Sequence, residues 1–289
     1  LHGGRERARG MLSARALLRS RNARWRRSLH SQRAAVGFVG AGNMGRGMAA
    51  SLARAGHPVA QFDRDTAALA ASAAASPLIE AVGSLEELCS RASTVVVSVA
   101  GEAAERSVFL EPGGLLEVAA PGSLLIDAGT VSVEFARELH AASAAAGVSF
   151  LDAPVSGGPE GAANGSLSIM VGGSEADFTA ARPALDGMGG YVVRMGAPGA
   201  GAAAKLINQL LTASNALAAT EALALARAMG FDSGARLAPL LALLDRSWGN
   251  STMLQRTGGI LGAALDAAEP GAALLAPAAA PLRNFAKDL

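Results

Sequence analysis

The chain has 289 residues, of which 51% are hydrophobic and 17% charged, and a single cysteine, Cys89. That length and apolar content suit one large or two modest globular domains, and the lone cysteine excludes both an internal disulfide framework and a multi-cysteine zinc site. The net charge of +1 averages two unlike regions: residues 1–35 hold ten arginines and one acid, Glu6, whereas the remainder carries an excess of eight acidic charges, which disfavours a nucleic-acid-binding face on the folded body.

The basic head, MLSARALLRSRNARWRRSLHSQR from Met11, is rich in Arg, Ser and Ala and has no acid. This is the composition of an organelle transit peptide, so residues 1–33 are expected to be a mitochondrial, or alternatively plastid, targeting segment. A disordered basic tail is the other reading. The chain opens on Leu1, which leaves room for upstream sequence. No stretch runs to eighteen apolar residues without Gly, Pro or charge, so no membrane span is expected.

From Ala34 onward, short β-branched runs alternate with helical patterns. AVGFV, PVAQFD, TVVVSV, SLLIDAG and VSFLDAPV are candidate strands separated by Ala/Leu/Glu segments, and LSIMVGG and YVVRMG extend the series to Gly196. Such alternation predicts an α/β fold with a doubly wound, mostly parallel sheet. Beyond the Gly/Pro cluster at 196–201 the pattern is helical, over 202–229 and again over Ser233–Asp245. The expected domains are therefore 34–197 and an all-α 198–289. The Ala/Pro/Leu stretch at 262–281 is low in complexity and supports no assignment.

The first strand runs into GAGNMG, which sets Gly40, Gly42 and Gly45 in G-x-G-x-x-G spacing at the opening of a helix. Gly40 permits the tight turn, Gly42 lets a pyrophosphate approach the backbone, and Gly45 lets helix and strand pack closely. Unpaired N–H groups at the helix start then face the phosphates. Asp63, eighteen residues on, ends the next strand, where its carboxylate would bind ribose hydroxyls and repel a 2′-phosphate, favouring NAD. Arg64 beside it pulls toward NADP. Glycines that merely serve strand–helix packing are the bland alternative.

Lysine occurs only at 205 and 287, against 23 arginines. An exposed helical lysine would ordinarily be surface decoration, but a chain that writes its other cations as arginine singles Lys205 out. Lysine, unlike arginine, can shed its proton near neutral pH when burial disfavours the ammonium form. One turn further, Asn208 and Gln209 fall on or near the same face.

GFVGAGNMG, FLDAPVSGGPEGAANGSLSIMVGG and GAGAAAKLINQ together resemble the signature segments of the β-hydroxyacid dehydrogenase family, over a match running from about Val36 to Leu289. The resemblance implies a Rossmann domain joined to a helical domain. It implies hydride transfer between NAD or NADP and a small hydroxyacid, 3-hydroxyisobutyrate first among them, with NADPH-dependent reduction of glyoxylate, succinic or tartronate semialdehyde as the rival activity. A nucleotide-binding interaction protein without turnover is the alternative from another class. The resemblance puts Ser156, Gly157 and Gly158 around the substrate carboxylate, Lys205 at the hydroxyl as general acid and base, and Asn208 or Gln209 as an orienting amide. An ordinary turn after Val155 and a packing amide at Asn208 are the alternatives. Asn43 and Met44 complete the cofactor loop, and Thr130 matches a threonine beside the nicotinamide, though a polar strand end would look alike. Lys287 would lie near the cofactor and Asp288 near the active site. After the fourth strand SVAGEAA departs from the family's pattern, so contacts there would use the backbone of Val99 and Ala100. Relatives continue past the Lys-Asp pair, so an incomplete helical domain is expected, and a homo-oligomer is implied. No metal is called for.

Overall fold

The computed structural model describes residues 34–267. The arginine-rich head and the Lys287–Asp288 pair lie outside the described residues. Two compact units divide between Ala204 and Lys205.

The first unit alternates strand and helix: β1 (Val36–Val39), α1 (Asn43–Arg54), β2 (Val59–Phe62), α2 (Thr66–Ala73), β3 (Ile79–Ala81), α3 (Leu85–Arg91), β4 (Thr94–Val97), α4 (Glu102–Leu110), a single turn α5 (Leu115–Val118), β5 (Leu124–Asp127), α6 (Val133–Ala145), β6 (Ser149–Asp152), β7 (Val155–Ser156), α7 (Gly158–Asn164), β8 (Leu167–Gly172), α8 (Glu175–Met188) and β9 (Gly189–Gly196). The sheet order is β3-β2-β1-β4-β5-β6-β8-β7, with β9 also on β8. The first six strands in this order pair in parallel, β8 runs antiparallel to β6 and β7, and β9 runs parallel to β8. The 3-2-1-4-5-6 order reverses direction between β1 and β4, the switch point at which open α/β sheets bind ligands.

Side chains alternate across this sheet with the period of two that a strand imposes. Phe38, Val96, Ile126 and Leu151 pack with Met48 and Leu52 of α1 and Leu185 of α8 on one face. Val39, Val97, Leu125 and Phe150 pack with Phe109, Phe135 and Leu139 on the other. Both faces are covered by helices, which is why the strands read as near-continuous apolar runs. Helix starts are written locally: the Asp65 carboxylate accepts from Ala67 N and Ala68 N, and the Ser84, Ser132 and Ser174 hydroxyls cap α3, α6 and α8.

The run VSFLDAPV is not one strand. Ala153 N still donates to Asp127 O at 2.7 Å, but Pro154 has no N–H to continue the ladder. The chain turns there, and Val155–Ser156 pair instead with β8.

The second unit takes most of the long helix α9 (Ala200–Ala228), then α10 (Gly234–Asp245) and α11 (Thr252–Ala267). Its core joins Ala219, Leu223, Leu237, Leu254 and Leu261. Helix α11 was not signalled by the sequence because Gly258, Gly259 and Gly262 lower its intrinsic helicity. A Cβ at Gly258 would stand 2.5 Å from Leu241 Cδ2, so that glycine lets α10 and α11 approach. Among the described residues no helix is long and apolar enough to cross a membrane, and no group of three His, Cys, Asp or Glu could hold a metal ion.

Candidate active site

The parallel strands end in register: Val39 pairs with Val97, Val97 with Asp127, and Asp127 with Asp152. The loops that follow β1, β4 and β5 therefore emerge along one sheet edge, and these loops carry Gly40–Gly45, Val99–Ala100 and Thr130.

The three loop glycines separate by what surrounds them. Gly40 has φ +108°, and a Cβ there would collide with the Ser98 carbonyl oxygen of the β4 loop; any other residue is excluded on both counts. A Cβ at Gly45 would stand 2.5 Å from the Gly40 carbonyl oxygen, so Gly45 lets α1 sit down on its own loop. Gly42 differs. Its φ of −66° suits any residue, and beyond its own chain neighbours no atom lies within 4 Å of where its Cβ would be. The open space faces the start of α1, whose N-cap Gly42 supplies no side-chain cap and whose first turn has no acid. The N–H groups of Asn43, Met44 and Gly45 are thus available to an anion, and the residues present fit a dinucleotide pyrophosphate.

Asp63 closes this loop from the next strand. Its Oδ2 accepts from Ala41 N at 2.6 Å and its Oδ1 from Asp65 N at 2.8 Å. The adjacent Arg64 is exposed. Val99 is half-buried and Ala100 exposed, and the half-buried Thr130 follows Asp127 by three residues.

Ser156 lies in the two-residue β7, paired with Ser168, and is half-buried. Gly157 at φ +135° and Gly158 at φ +65° hold conformations that only glycine adopts freely. A Cβ at Gly157 would meet Leu167, whereas one at Gly158 would meet nothing within 4 Å. In the second unit, Lys205 and Gln209 lie one turn apart on α9 and are both buried, at 9% and 8% exposure, with Asn208 half-buried beside them. Their neighbours Leu206, Ile207, Leu210 and Leu211 are more than half exposed, so the polar residues occupy the covered side. Lysine is among the residues least often buried.

Two acidic groups at the sheet edge were not anticipated. Glu105 of α4 is fully buried, with no hydrogen-bond donor reaching either carboxyl oxygen, and it faces Asp127. Burial first, and then the neighbouring Asp127 charge, push the Glu105 pKa well above the usual carboxylate range. A hydrogen bond can join the two only if one holds a proton, and Glu105 is the one that keeps it. Gly129 makes the room, since a Cβ there would collide with the Glu105 carboxyl. The second is Asp152, considered below. A helical acid at Glu105 carries no sequence signal of burial, because its partner lies 22 positions away.

The Glu105 proton has a consequence for stability. The folded chain keeps it, whereas the unfolded chain releases it above about pH 4.3, so stability falls as pH rises through the neutral range, by up to about 1.4 kcal/mol per unit. Glu105→Gln retains a neutral donor without the proton. Thermal melts from pH 5 to 9 are expected to show the variant gaining on the wild type as pH rises, and parallel curves would show that Glu105 is ionised in the folded state.

The strand order, the glycine loop and the acid at the end of β2 define an NAD(P)-binding Rossmann domain. Residues 35–196 match the family model of the NAD binding domain of 6-phosphogluconate dehydrogenase, and residues 199–269 that of the NAD-binding region of NADP-dependent 3-hydroxyisobutyrate dehydrogenase. The chain belongs to the β-hydroxyacid dehydrogenase family. It is 42% identical over 202 residues to a 3-hydroxyisobutyrate dehydrogenase of Pseudomonas aeruginosa, a match covering 68% of this chain and 65% of that protein. The crystal structure of a 3-hydroxyisobutyrate dehydrogenase from Salmonella typhimurium superposes with a TM-score of 0.71 at 34% identity, over 87% of this chain and 88% of that one. A Mycobacterium tuberculosis 3-hydroxyisobutyrate dehydrogenase structure with L-serine gives 0.68 at 36% identity, over 78% and 74%. The chain spans about two thirds of the length of the curated relatives it matches.

Proposed function

We propose that this chain oxidises a small β-hydroxycarboxylate, 3-hydroxyisobutyrate foremost, to its semialdehyde with NAD. The observation that carries this reading is the burial of Lys205 on a helix side shared with Gln209. A bound nicotinamide supplies the hydride acceptor. Lys205 takes the hydroxyl proton as the alcohol is oxidised and returns it in the reverse direction, work that a buried lysine can do and an arginine cannot. Ser156 donates its hydroxyl, and Gly157 and Gly158 their backbone N–H groups, to the substrate carboxylate. Asn208 or Gln209 orients the amine or the substrate hydroxyl. Lys287 and Asp288 belong to the same reading through the resemblance.

The named relatives fit this substrate class: 3-hydroxyisobutyrate and L-serine both carry a carboxylate and a hydroxyl on the β-carbon. Mitochondrial import through the arginine-rich head and assembly as a homo-oligomer complete the proposal. The exposed Arg64 favours a second reading, in which NADP is the cofactor and a semialdehyde is reduced. Initial rates with 3-hydroxyisobutyrate, L-serine and glycerate, each with NAD and with NADP, test both. The expected result is oxidation of 3-hydroxyisobutyrate with NAD at least about tenfold preferred, a difference near 1.4 kcal/mol. A reversed preference would favour the reductase, and no turnover with any pair would overturn the assignment.

A further inference from the structure

Asp152, the last residue of β6, is 1% exposed, yet it makes no contribution to the chemistry proposed above. A buried carboxylate persists only when its lone pairs are matched by donors. Three donors reach this one: Gly199 N at 2.9 Å and His140 Nε2 at 2.7 Å on Oδ1, and Ala202 N at 2.9 Å on Oδ2. Two of the three are N–H groups at the start of α9. The helix is therefore capped by an acid about fifty residues upstream, placed where a negative charge also balances the positive helix end.

The surrounding sequence is cut to fit this arrangement. A Cβ at Gly172 would stand 2.5 Å from Asp152 Oδ1, and a Cβ at Gly201 would stand 2.5 Å from the Asp152 carbonyl oxygen and collide with that of Met170. The His140 ring is itself held edge-on against Phe150, with centroids 4.8 Å apart. Gripping two N–H groups three residues apart fixes both the height and the rotation of the first turn of α9. Each residue of slip turns a helix by about 100°, enough to redirect Lys205 and Gln209 together. Lys205 follows Ala202 by three residues on that helix, and Ser156 follows Asp152 by four along the chain.

We infer that Asp152, steadied by His140, is a positioning residue that sets the register of the helix carrying Lys205. The inference rests on the proposed role of Lys205. In the 289-residue chain, Asp152→Asn would turn an amide NH2 toward at least one of the three donors. For folded protein the expected result is a kcat at least about tenfold lower with the NAD Kd changed less than about twofold, since the glycine loop is untouched. His140→Ala should lose severalfold in kcat. His140→Gln, whose amide can still donate to Asp152, should recover most of that loss, as a merely structural role would not predict. A folded Asp152→Asn with wild-type kcat would overturn the inference. Should Asp152→Asn fail to fold, wild-type kcat in His140→Ala would overturn it instead. Lys205→Ala run in parallel separates the two ideas. If Lys205→Ala is inactive while Asp152→Asn is fully active, the positioning role alone falls; if Lys205→Ala turns over normally, the proposed chemistry falls and this inference with it.

Discussion

Gly42→Leu is expected to raise the Kd for NAD by about 10² or more, close to 3 kcal/mol, while leaving the fold almost untouched. The two halves of that expectation come from the same geometry. Gly42 sits at φ −66°, ψ −171°, a conformation open to any residue, and a Cβ there meets nothing within 4 Å beyond its chain neighbours. The cost to the helix is that of a poor N-cap, about 1 kcal/mol at most. The cost to the ligand is loss of close approach to the N–H groups of the first turn, which is where a pyrophosphate gains its hydrogen bonds. Gly40→Ala should behave in the opposite sense. Its φ of +108° and the Ser98 carbonyl oxygen beside it make any side chain a burden on folding, so its melting temperature should drop before its affinity is measured. Calorimetric titration with NAD together with thermal melts separates the two. Loss of stability in Gly42→Leu, or an unchanged Kd, would show that the glycine serves packing rather than a ligand.

Local signals served well wherever chemistry is written in consecutive residues. The glycine spacing, the strand before it and Asp63 at the end of the next strand could be read because each is fixed by backbone geometry within one βαβ unit. The alternation of strands and helices identified the sheet, and the Ala/Leu pattern identified α9 within two residues of its start. What could not be read depends on contacts between distant segments. The break between β6 and β7 follows from pairing with β8, although Pro154 was visible. The three-residue β3 is too short for periodicity, and the glycines of α11 make sense only once Leu241 is seen against them. Glu105 looks like any helical acid until Asp127 and Gly129 close around it. Asp152 stood inside a segment whose resemblance drew attention to the serine and glycines that follow, while its own partners, His140, Gly199 and Ala202, lie 12 to 50 positions away.

Lys205→Ala is expected to lower kcat by about 10² or more, the usual scale for removing a general acid or base, with the NAD Kd close to that of the wild type. Arginine at 205 should not restore the rate, because a guanidinium keeps the positive charge but does not release its proton near neutral pH. The arginine variant thus separates proton transfer from simple charge pairing with the substrate carboxylate, since a charge-pairing role would be largely rescued. Truncation at Gln209 or Asn208 should cost less than truncation at Lys205, because an orienting amide acts through the amine or the substrate.

The most direct test is the initial rate of NADH formation from 3-hydroxyisobutyrate, at saturating substrate and NAD, for the wild type, Lys205→Ala and Lys205→Arg. Both variants should bind NAD normally and turn over at least about a hundredfold more slowly. Wild-type rates in either variant would contradict the proposed proton transfer.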